Sequence, residues 1–82
     1  MTDLHLSPRQ VEVCALVVGG ESDKQIGVLL KISRPMVRVH VRDSAQRIQA
    51  VHPWLDGQPR EVIRKWFRDC YRRVYIEPRA AA

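Results

Sequence analysis

Residues 22–48 read SDKQIGVLLKISRPMVRVHVRDSAQRI. The stretch holds two amphipathic helical patterns joined by a short turn. In the first, Ser22 stands at the capping position and Gln25 closes a capping box. Asp23, at the first helical position, suits the positive end of the helix dipole. Ile26, Leu29 and Leu30 give this helix an apolar face, and Lys31 and Ile32 form the turn. The second pattern opens at Ser33 or Arg34. Pro35 must lie in its first turn, where a missing N–H costs little. Because proline disfavours helical geometry in the residue before it, Arg34 is itself a candidate cap. Two faces then separate. Val37, His40, Val41, Ser44, Ala45 and Ile48 follow the helical period and are expected to face inward, whereas Pro35, Arg38, Val39, Arg42 and Gln46 lie on the other side. A valine flanked by two arginines is unusual on a face meant only for solvent. Two helices, a tight turn and an arginine-bearing second helix are the parts of a helix-turn-helix, which reads DNA by laying its second helix in the major groove.

The flanking sequence supplies the rest of a small all-α bundle of about four helices. Ser7, Pro8 and Gln10 make a second capping box with a compatible proline. Val13, Leu16 and Val17 recur at helical spacing, widened by Cys14 and Val18, and Gly19-Gly20 ends the helix. After the helix expected at about 34–50, the segment VHPWLDGQ at 51–58 reads as a loop, with Trp54 and Leu55 expected beneath the bundle. A long C-terminal amphipathic helix is expected from about 59 to 75. Its stripe of Val62, Ile63, Trp66, Phe67, Cys70, Tyr71 and Val74 is unusually dense. That stripe has two readings: closure of the core, or a two-fold seam in which Ile63, Trp66, Phe67, Cys70, Tyr71 and Val74 meet a homodimer partner or another protein.

Eighty-two residues are expected to make one domain, with the helix-turn-helix at about 22–50. The chain is too short for a deep catalytic cleft beside a substrate domain. No apolar run approaches a membrane span and the N-terminus has no secretory pattern, so a cytoplasmic protein without membrane association is expected. The net charge of +5 is unevenly placed: residues 1–30 carry −2 and residues 31–82 carry +7. The basic excess begins where the second helix of the motif begins, as a polyanionic partner requires. The two cysteines, Cys14 and Cys70, form no CxxC pair and no zinc-spaced cluster with histidine, and both read as buried thiols. His40 reads as a core histidine. No glycine-rich phosphate loop or serine–histidine–aspartate pattern occurs, so neither an enzyme nor a cofactor is expected.

With these residues in place, the chain resembles the LuxR-type (GerE-type) helix-turn-helix family. The resemblance is carried by LSPRQVEV at 6–13, the glycines at 19–20, SDKQI at 22–26, Leu30, Ile32-Ser33 and MVRVHVR at 36–42, without insertion from Leu6 to Ile48. It implies that Arg38, Val39 and Arg42 face DNA bases, the same outer face that the periodicity selects. An arginine there forks onto guanine N7 and O6, and a valine touches a thymine methyl. Lys24, beside the N-terminus of its helix, and Arg34 and Arg47 are the candidates for phosphate contacts. Lys31 departs from the glycine usual in the family's turn, which implies a strained or reshaped turn. Arg34-Pro35-Met36 replaces a stretch that often ends in threonine, so a hydroxyl contact to the DNA backbone is lost at Met36. The C-terminal segment is longer, more aromatic and more basic than the family's closing helix. The 82 residues hold no receiver or signal-binding domain, so control by phosphorylation or a small signal molecule is not expected.

Two function classes follow. The first is a sequence-specific transcription regulator acting on double-stranded DNA, of the compact kind suited to a phage or mobile element. The second is a protein-interaction module that inhibits or modulates a related regulator or RNA polymerase. Charge placement and the Arg38/Val39/Arg42 face favour the first.

Overall fold

The computed structural model describes residues 4–71. Within them the chain is all-helical: α1 (Pro8–Val18), α2 (Asp23–Leu30), α3 (Arg34–Val51) and α4 (Pro59–Trp66), the last continuing into a π-helical turn at Phe67–Tyr71. The helix starts are set by short polar side chains. Gln10 donates its backbone N–H to Ser7 Oγ (3.1 Å) and its side chain accepts from Ser7 N–H (2.9 Å). Ser22 and Gln25 repeat this exchange at 3.2 and 3.0 Å. At α3 it is Ser33 that caps, its Oγ accepting from Met36 N–H at 3.2 Å, and Arg34 is the first helical residue. Arg34 is therefore not the cap, because the serine hydroxyl reaches a backbone donor that would otherwise be unpaired.

α3 is the central member and packs against α1, α2 and most extensively α4. One core joins Val13, Cys14 and Val17 of α1, Ile26 of α2, Val37, Val41, Ala45 and Ile48 of α3, Leu55, and Val62, Ile63 and Trp66 of α4. Ser44 is fully buried among them, and His40 only half-buried, so His40 lies at the edge of the core instead of within it. Leu29, expected on the apolar face of α2, is 57% exposed. The buried line of α2 runs through Ile26 and Gly27, because the turn into α3 folds back over Gly27 and turns Leu29 outward.

That turn is tight. Lys31 adopts φ 59°, ψ 46°, the left-handed region, and Ile32 N–H donates to Gly27 O at 3.0 Å. A Cβ on Gly27 would stand 2.8 Å from the Ile32 carbonyl oxygen, so a glycine in mid-helix is what allows the approach.

In the 52–58 loop, Leu55 N–H donates to His52 O (3.0 Å) and the Gln49 amide donates to Leu55 O (3.1 Å). This clamp buries Leu55 and directs its neighbour the other way: Trp54 is 66% exposed, edge-on to His52 at 5.0 Å. Trp54 is thus not beneath the bundle. The α-helical part of the last helix ends at Trp66 and its π-helical continuation reaches Tyr71; the remainder of the helix expected to residue 75 lies outside the described residues. Cys14 is buried, and Cys70 is only half-buried. No helix of the described residues is long and apolar enough to cross a membrane, and no cluster of potential metal ligands occurs among them.

Candidate nucleic-acid interface

α3 divides into a buried and an exposed face, with Val39 and His40 at the boundary between them. Val37, Val41, Ser44, Ala45 and Ile48 are buried, which fixes the rotation of the helix and leaves Arg34, Arg38 and Arg42 exposed. These arginines are spaced four apart, so they stack along one ridge of the helix surface. Val39, expected to stand fully on the outer face, is half-buried, since it lies between the ridge and the inward side. Lys24 is exposed on the first turn of α2, beside that helix's N-terminus.

Arg47 belongs elsewhere. Nine residues on from Arg38, it lies half a turn away around the helix. Its Nη1 donates to the His5 carbonyl at 3.0 Å, tying the N-terminal segment to α3. The structure brings Arg34, Arg38 and Arg42 together and leaves Arg47 out of that group.

The residues expected at a partner seam also separate. Ile63 (0% exposed) and Trp66 (6%) are spent in the chain's own core, which leaves them almost no surface to offer. Phe67 and Cys70 are half-buried against that core. Tyr71 ends the π-helical turn and Val74 lies outside the described residues.

Two participants have no signal in the local sequence. Asp23 accepts from Arg38 Nε through Oδ2 at 3.4 Å, and its Oδ1 lies 3.6 Å from Nη2 of Arg60. Arg60 Nη2 also donates to the Glu21 carbonyl. Together with Val41, Arg42, Gln58 and Pro59, these three side chains line an open groove where α2, α3 and the start of α4 meet. Asp23 in the sequence suits the helix dipole, and Arg60 is one of several arginines on the last helix. Their partnership spans 37 residues, a separation no local pattern reports.

On the opposite side of α3, burial pushes the Cys14 thiol up from its ordinary 9.0 to about 11, with the Ser44 hydroxyl pulling weakly the other way. This thiol stays protonated and unreactive at neutral pH.

No curated protein and no solved structure matches the chain at a significant level. The family described as bacterial regulatory proteins, luxR family, matches residues 4–52, which takes in α1, α2, the tight turn and all of α3. With more than half of its length inside that match, this chain belongs to the luxR family of bacterial regulatory proteins.

Proposed function

We propose that the chain is a transcription regulator that binds double-stranded DNA sequence-specifically, with α3 in the major groove. The observation that carries this reading is the exposed ridge of Arg34, Arg38 and Arg42 on a helix whose other side is locked into the core. Arg38 and Arg42 are the base-reading residues, each suited to guanine N7 and O6. Val39, being half-buried, takes a narrower role against a thymine methyl at the groove wall. Arg34, at the N-terminal end of the ridge, and Lys24, on the first turn of α2, meet phosphates, where they set register without reading sequence. Arg47 contributes as a tie within the chain.

Selection of genomic fragments with the purified protein tests this reading. The wild type recovers a motif that Arg38→Ala/Arg42→Ala, checked to be folded, does not. Its binding also weakens steeply with salt, as release of counterions from phosphates demands. Motif-free binding, or none, would sink it. A homodimer would show itself as a palindromic motif. Ile63 and Trp66, being internal, contribute little to any such seam.

The second reading, a module docking on a related regulator or RNA polymerase, draws on Val28 (70% exposed) and Leu29, adjacent apolar side chains on the outer side of α2. An apolar contact of that kind keeps its strength in high salt.

A further inference from the structure

Asp23 stands between arginines of two different helices, and the two ends of this bridge differ. The Asp23 and Arg60 side chains are 27% and 28% exposed, and Arg60 is tied a second time through the Glu21 carbonyl. Arg38 is 69% exposed. The carboxylate is therefore anchored on the α4 side and reaches out to the α3 ridge. Exposed ion pairs add little to stability, so the weight of this one lies in geometry.

Arg38 is held through Nε, and neither of its Nη groups makes a hydrogen bond within the described residues. A free arginine samples many rotamers and must be ordered on binding. A carboxylate on Nε removes much of that freedom beforehand and leaves the two-pronged end open. Among the described residues Arg42 lacks such a support: the carboxylate beside it is the adjacent Asp43 at 3.5 Å, with both side chains exposed and no second arginine paired to that carboxylate.

We propose that Asp23, anchored by Arg60, is a positioning residue that determines specificity. It orients the Arg38 guanidinium so that both Nη groups meet one base edge, with guanine as the base selected. The inference rests on the DNA-reading role of α3 proposed above. It carries a signature that simple structural support would not. A carboxylate beside phosphate-binding side chains opposes binding to any duplex, so its removal weakens discrimination while leaving general affinity equal or higher.

The test is selection from a randomised duplex library with the wild type, Asp23→Ala, Asp23→Asn, Arg38→Ala and the Asp23→Ala/Arg38→Ala double variant. Thermal melts establish that each is folded, and binding to an unrelated duplex is followed across a salt series. Asp23→Ala is expected to lower the base preference about five- to tenfold at one position only, the position whose preference Arg38→Ala abolishes. Binding to the unrelated duplex stays equal or tightens. Asp23→Asn, which keeps one acceptor oxygen and the shape of the side chain, falls between and answers the question if the alanine variant does not fold. The double variant matches Arg38→Ala. Preference retained in Asp23→Ala and Asp23→Asn overturns the proposal, as does an even loss at every position accompanied by weaker binding to the unrelated duplex. If the wild type selects no motif, the DNA-reading proposal fails and takes this one with it. A wild-type motif that survives the Asp23 changes removes this one alone.

Discussion

Cys14 shows how a single buried atom sets a pH limit. Its thiol holds a proton more tightly in the folded chain than in the unfolded one, because burial disfavours the thiolate. The sign follows directly. The stabilising difference is whole below the unfolded value of about 9 and is lost as pH rises toward and through the folded value of about 11. Urea unfolding of the wild type and of Cys14→Ala is expected to diverge over that window. The wild type should lose up to about 2 kcal/mol more than the variant between neutral pH and the upper end. Parallel curves would mean that the thiol is hydrated in the folded state. The same burial leaves the thiol slow toward disulfide reagents until the chain opens.

At the scale of elements, the joint between α2 and α3 carries the most information. Lys31 pays for a left-handed backbone that glycine adopts freely. Lys31→Gly is expected to stabilise the fold by about 0.5–1 kcal/mol, read as a shifted urea midpoint with an unchanged slope. Gly27→Ala is expected to do the reverse, costing about 1–3 kcal/mol, because its Cβ meets the Ile32 backbone oxygen, which no rotamer change can move aside. A melt of Gly27→Ala that matched the wild type would show that the turn can open. The sequence shows the departure at Lys31 and its consequence, since a family position that usually holds glycine is visible as such. It does not show the role of Gly27, which depends on how closely the following turn returns. Helix starts are legible because serine, glutamine and proline act within four residues. The exposure of Leu29 and Trp54 is not, because it is decided by what packs against α2 and by the Gln49–Leu55 clamp.

At the scale of the molecule, one core serves the four helices of the described residues, and the two tryptophans stand at opposite ends of its burial. Trp66→Ala is expected to cost about 3–5 kcal/mol, enough to threaten folding in a domain this small. Trp54→Ala is expected to cost less than about 1 kcal/mol, mostly the edge-on contact with His52. Equal losses in paired thermal melts would contradict this division. The all-α class, the helix-turn-helix and the outward placement of Arg38 and Arg42 are legible in the sequence because each follows from helical period and local capping. What the sequence leaves open is long-range: whether the last helix turns its stripe inward, which Ile63 and Trp66 do, and which acidic residue meets which arginine. Asp23 and Arg60 need the packed bundle to find each other. Arg47 needs it too, since its partner carbonyl at His5 is 42 residues away.

The position of α3 has a thermodynamic consequence. A helix gripped on three sides by α1, α2 and α4 is complete before any encounter. If it enters a groove, it does so as a rigid part, and binding draws no heat-capacity change from coupled folding of this helix. The ordering that remains falls on the duplex and on a few long side chains. An operator already shaped to the ridge would therefore be preferred over an equally matched one that must bend to reach it.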